Sequence, residues 1–169
     1  MLYKYPYRSE LGIITLLANN HGLLGAWFEN QAGYGGAFDL TKVKTLSNNH
    51  QSAIIDEAIN WLNAYFLKQP LETITFQLMP QGTAFQQDVW MALQKIPYGE
   101  TIVLDQLVER IAARQTKGRG SSNAIVGAIK SNPIAIMIPN HRVLAPIRKE
   151  ANQYDTINHI QALREFESS

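Results

Sequence analysis

Pro139-Asn140-His141-Arg142-Val143 closes the apolar run Ile134-Ala135-Ile136-Met137-Ile138, which follows the turn signal Ser131-Asn132-Pro133. A buried, strand-like run that ends in proline and then presents a carboxamide, an imidazole and a guanidinium is a way for a fold to deliver polar groups to a pocket. Outward from it the chain is basic. From Arg110 to Lys149 come Arg110, Arg114, Lys117, Arg119, Lys130, Arg142, Arg148 and Lys149, with no Asp or Glu between them. Such a one-signed stretch is either a solvated face or a field that draws a phosphate backbone.

The whole chain sets bounds on this reading. Its 169 residues, 46% of them apolar, suffice for one domain or for two small lobes with real cores. Cysteine is absent, which removes disulfides, thiolate zinc sites and thiol nucleophiles together. The four histidines, His21, His50, His141 and His159, are scattered without metal-ligand spacing, so neither metal nor cofactor is expected. No apolar run approaches the roughly 20 residues that cross a bilayer, and neither end carries a leader pattern. The expectation is a soluble, cytoplasmic monomer without a membrane partner.

In chain order, Leu2 to Ala18 and Leu23 to Phe28 read as strands of an antiparallel meander, with Gly12 and His21-Gly22 as punctuation. Residues 30–50, with Gly33, Gly35 and Gly36, read as a loop. Ile55, Ile59, Leu62 and Phe66 predict an amphipathic helix over 52–68, stopped by Pro70. Thr73 to Leu78 predicts a further strand. Thr83 and Gln86 form a capping box for a helix that places Phe85, Val89, Leu93 and Ile96 on one face beside Trp90, ended by Pro97-Tyr98-Gly99. A second helix is expected over 104–113, and a third, capped by Ser121 or Ser122, through Lys130. The small residues Ala124, Gly127 and Ala128 suit either close helix packing or close approach of a ligand such as a DNA groove. A last helix is expected over 156–167. The expected class is α+β: an N-terminal sheet-and-helix lobe, residues 1–80, then a mostly helical lobe, residues 81–169.

Three separated blocks now coincide: Gly82-Thr83-Ala84-Phe85-Gln86-Gln87-Asp88-Val89-Trp90, Ile96-Pro97-Tyr98-Gly99-Glu100-Thr101, and Asn132 through Val143. Together they closely resemble the O6-alkylguanine-DNA alkyltransferases, the methylated-DNA–protein-cysteine methyltransferases. The resemblance implies a winged-helix-like helix-turn-helix on DNA, a guanine rotated into a pocket, and irreversible transfer of its O6-alkyl group to a cysteine in a Pro-Cys-His-Arg motif. Here the cysteine position is Asn140. A carboxamide nitrogen has its lone pair delocalised into the carbonyl and is a very poor alkyl acceptor, so no transfer is expected.

Carried over one at a time, His141 and Glu167 match the relay pair that would assist the thiol. Asn132 matches the turn asparagine, Pro139 the residue before the nucleophile, and Val143 the position whose carbonyl receives the guanine amino group. Tyr154 matches the lid tyrosine, though Asp155-Thr156-Ile157 replaces the lid's small residues. The arginine that fills the space of the rotated base corresponds to Asn123, and the tyrosine that helps rotate it to Leu104. An insertion over 115–122 brings Arg119, which either replaces that arginine or holds the helix off DNA. Ser122, Ala124, Gly127, Lys130 and Arg142 complete the expected DNA-facing set, while Val126 thickens a helix face where the family often has glycine. One engineered change at 140 would not explain Asn123, Leu104 and the altered lid, which favours natural divergence. Two functions follow: a non-catalytic protein that binds double-stranded DNA, O6-alkylguanine included, and marks it for a repair partner, or a diverged scaffold without lesion-specific binding.

Overall fold

Gly12 turns the first two predicted strands back on each other, and Ser9 pairs with it across the hairpin. In the computed structural model, which describes residues 1–71, 73–113, 122–144 and 157–169, β1 (Tyr3–Ser9), β2 (Gly12–Ala18) and β3 (Leu23–Phe28) form the expected meander. A fourth strand, β4 (Lys44–Thr45), joins in parallel beside β1, giving the order β3-β2-β1-β4. The mixed α+β chain divides into two compact units, Met1–Glu29 with Gly33–Gln81, and Asn30–Ala32 with Gly82–Ser169.

In the first unit the sheet is buried on both faces, which is why β3 carries no exposed residue. The face of Tyr7 and Ile14 meets α1 (Ala53–Phe66): Tyr7 donates its hydroxyl to Asn63 at 2.8 Å and stacks on Phe66. On the other face Leu17, Leu24 and Trp27 pack with Leu40, Phe38 and Val43. Residues 30–50 are therefore a covering layer with two 3-10 turns and β4, not a plain loop. Gly25 is required there, since a Cβ would lie 2.0 Å from the Trp27 ring.

Two helical details differ from the periodicity. The fully buried stripe of α1 is Ile55, Ala58, Leu62 and Tyr65, leaving Ile59 and Phe66 half-buried. The helix also ends before Pro70. Lys68 turns left-handed at φ 55, its N–H bonding Tyr65 O while Gln69 N–H reaches Ala64 O, a two-bond C-terminal cap. Thr73 to Leu78 is not a strand: its described residues contribute one bridge, Leu78 to Leu23.

The second unit begins with α2 (Ala84–Leu93), whose predicted capping box is present. Trp90 is buried, and its indole N–H donates to Ala128 O at 2.8 Å, anchoring α2 to α4 (Ser122–Lys130). Gly82 leaves room for that ring, since a Cβ there would fall 2.5 Å from it. α2 also packs on α3 (Leu104–Ala112). β5 (Ile102–Val103) pairs in parallel with β6 (Val143–Leu144), and α5 (Ile157–Ser168) follows.

Lys68 supplies a test of this backbone. Glycine adopts φ 55 without the Cβ penalty, so Lys68→Gly is expected to stabilise the protein by about 0.5–1 kcal/mol in denaturant unfolding. A loss of stability would mean that the left-handed cap is not formed.

Candidate functional site

Asn132 sets the site. It is buried, donates Nδ2–H to Ile138 O at 2.7 Å and accepts from Ile134 N–H at 3.0 Å, closing residues 134–138 into a tight turn. The expected strand-like run is therefore corrected: Met137 N–H bonds Ala135 O, and buried Ile136 sits at φ 71. A β-branched residue rarely adopts that conformation, so the turn holds local strain against the packing of Ile134, Ile136, Met137 and Ile138.

After Pro139 one 3-10 turn, Asn140–Arg142, presents the three polar residues. His141 is fully buried and bonds Glu167 Oε2 through Nε2 at 2.5 Å. Arg142 forks onto the same carboxylate, Nε to Oε1 at 2.8 Å and Nη2 to Oε2 at 3.1 Å, and donates Nη1–H to Ile96 O at 2.7 Å. Gly99, at φ 79, adds its N–H to Glu167 Oε1 at 3.0 Å. The Ile96–Gly99 block is thus more than a helix stop. It supplies a carbonyl and an amide to the buried ion pair.

Burial holds the His141 imidazole below its ordinary 6.5, against the opposing pull of Glu167. A carboxylate already paired with Arg142 can only accept, so the neutral ring carries its proton on Nε2. Nδ1 is then a buried lone pair, without a hydrogen-bond partner among the described residues. Next to His141 in the chain stands Asn140, half-buried, which donates Nδ2–H to Ile129 O at 3.2 Å.

Arg164, which the sequence reading did not single out, fastens the backbone of the turn. Its Nε donates to His141 O at 2.5 Å and its Nη2 to Val143 O at 2.6 Å. The available signal was its spacing three residues before Glu167 on one helix face. Two expectations change accordingly. The Val143 carbonyl expected to receive a guanine amino group already accepts from Arg164, leaving one lone pair. Arg142, expected on the DNA-facing surface, is buried, its guanidinium engaged with Glu167 and Ile96.

The other DNA-facing candidates fall together. Ser122, Asn123, Ala124, Gly127 and Lys130 are all exposed on α4, whereas Ile125 and Ala128 are buried and Val126 is half-buried. Leu104, at the start of α3, is half-buried. Arg119 and most of the 115–122 insertion, and the lid residues Tyr154 to Thr156, lie outside the described residues. Among the described residues no cluster of His, Asp or Glu is placed to hold a metal ion, and no helix is long and apolar enough to cross a membrane.

The ion pair and the tautomer are separately testable. Glu167→Gln leaves the Arg142 guanidinium buried without its counter-charge, so a loss of about 3–5 kcal/mol is expected in unfolding experiments. A loss under about 1 kcal/mol would place the pair in solvent. Because the folded His141 value lies below the unfolded 6.5, its share of stability is full above pH 6.5 and declines as pH falls below it, where the unfolded chain binds the extra proton. Imidazole nitrogen resonances are expected to report an Nε2–H tautomer that stays neutral at pH 6.5. Protonation at or above that pH would refute the assignment.

Against known proteins, a family model described as 6-O-methylguanine DNA methyltransferase, DNA binding domain, matches residues 84–169. The methylated-DNA–protein-cysteine methyltransferase of Mycobacterium tuberculosis is 35% identical over 147 residues, covering 82% of this chain and 84% of that protein. The same-named protein of Methanosarcina barkeri is 44% identical over 89 residues, 52% of each chain. The crystal structure of Mycobacterium tuberculosis OGT in complex with DNA superposes with a TM-score of 0.77 at 31% identity, covering 98% of this chain and 92% of that chain. With the family model matching residues 84–169, and a relative 35% identical over 82% of the chain, the chain belongs to the 6-O-methylguanine DNA methyltransferase family, and its sequence contains no cysteine.

Proposed function

We propose that this protein is a non-catalytic, alkyltransferase-like DNA-binding protein that retains the family's base pocket for recognition rather than transfer. The observation that carries the reading is the buried, hydrogen-bonded cluster of Asn132, His141, Arg142 and Glu167 beside a residue that cannot accept an alkyl group. Support for DNA as the partner comes from the exposed small-residue face of α4 and its Lys130, and from the relative solved with DNA. O6-alkylguanine is the family's lesion and the first ligand to examine, and a separate repair protein would then process the marked site.

A second reading, a diverged scaffold, is favoured by one feature. Asp105, next to Leu104, and Glu109, further along α3, are exposed, and carboxylates on that helix would oppose phosphates.

Titration onto labelled duplexes with and without O6-methylguanine, at several salt concentrations, separates the two. Binding that weakens as salt rises supports the DNA reading; none at low salt leaves the scaffold. In parallel, a duplex labelled on the O6-methyl group is expected to leave no covalent label on the parent, whereas Asn140→Cys, with a thiol beside the His141–Glu167 pair, is expected to acquire it. Label on the parent would refute the loss of transfer.

A further inference from the structure

A cleft of about 300 Å³, at the lower end of ligand-pocket sizes, lies in the first unit against α1. Glu57, Asn60, Trp61 and Ala64 line it from the helix, at offsets of three, one and three that put them on one face. Residues 73–76 line it as well. Their burial alternates, with Thr73 and Thr75 exposed, Ile74 half-buried and Phe76 buried, the pattern of a strand with one covered face. Further on, Leu78 bridges to Leu23, but residues 73–76 make no backbone hydrogen bond among the described residues. The segment has a strand's arrangement of side chains and no ladder.

Trp61 is half-buried and stacks on buried Tyr65, the ring centroids 5.7 Å apart and the planes 17° from parallel. Its indole N–H is buried without a hydrogen-bond partner among the described residues, which leaves the ring's orientation to stacking and packing. Glu57, one helical turn earlier, is exposed, forms no ion pair among the described residues, and is the one charged side chain that lines the cleft. An indole beside a carboxylate suits a cation on an apolar stem, which is a lysine or arginine side chain. Unpaired, strand-like backbone suits another extended backbone. A free ammonium ion would use the first feature and not the second. From the two together we propose that this cleft docks an extended peptide of a protein partner, which adds as a strand along residues 73–76 and lays one Lys or Arg across Trp61 beside Glu57. The DNA reading of the second unit is not among its premises.

The test titrates the full chain with end-blocked peptides and follows the Trp61 indole N–H resonance, assigned by its loss in Trp61→Phe. The probes are Thr-Val-Lys-Val-Thr, the same peptide with Glu at its centre, the Lys peptide with every backbone amide N-methylated, and end-blocked lysine alone. The expected result is a saturable shift with the Lys peptide, bound about two- to fivefold tighter than the Glu peptide, the size of one exposed cation–π contact. Methylation of the backbone and reduction to a single lysine are each expected to weaken binding, because both remove the strand. In Glu57→Gln, with folding checked by its thermal transition, the preference for Lys over Glu is expected to fall. Equal binding of the two peptides, an unchanged preference in Glu57→Gln, or no saturable shift with any probe each overturns the assignment. Binding of lysine alone, or of the methylated peptide, as tight as that of the Lys peptide would make the cleft a cation pocket and overturns it too. Duplex binding, measured on the same samples, stands or falls separately.

Discussion

The carboxylate of Glu167 is the constraint on which the C-terminal unit's site depends. A buried carboxylate is costly unless its lone pairs are met, and here N–H groups from Gly99, His141 and Arg142 meet them. Those donors come from two distant blocks of the chain, and Glu167 comes from the last helix, so one anion ties three segments together. Arg142 extends the tie to the Ile96 carbonyl, and Arg164, from the same helix as Glu167, fastens the carbonyls of His141 and Val143. The result is a rigid frame whose geometry is set by charge-assisted bonds.

The same frame separates positions whose substitution is costly from one whose substitution is not. Substituting Glu167 or Arg142 strands a partner in the interior, and substituting Asn132 releases the turn that contains Ile136 at φ 71. Position 140 carries little of that weight. It is half-buried, between two buried residues, and makes a single side-chain hydrogen bond among the described residues. Position 140 is thus among the least constrained in the site, and its side chain can vary without unfolding the frame around it.

Much of this was legible in the sequence, for identifiable reasons. Clustered Tyr, Ile, Leu and Thr with Gly12 as punctuation gave the meander, the Thr83–Gln86 pair gave the start of α2, and His141 with Glu167 could be paired from the family's motifs. What escaped notice depended on tertiary partners. Residues 30–50 have a loop's composition, yet Leu40, Phe38 and Val43 cover a sheet face because Trp27 needs covering. Ile134 to Ile138 has a strand's composition, but Asn132 bonds across it and overrides β propensity. Arg142 has the charge of a phosphate ligand, and only the position of Glu167 turns it inward. β5 and β6, two residues each, are too short for any periodicity to register.

The C-terminal end of α4 joins the helix face to the site. The last four carbonyls of a helix lack partners within it and must find them elsewhere. Trp90 Nε1 and Ser131 Oγ supply Ala128 O, and Asn140 Nδ2 supplies Ile129 O. A thiol is only a weak donor and would do this less well. Asparagine at position 140 therefore supplies a helix-end hydrogen bond that joins the site's polar atoms to the element carrying Asn123, Gly127 and Lys130.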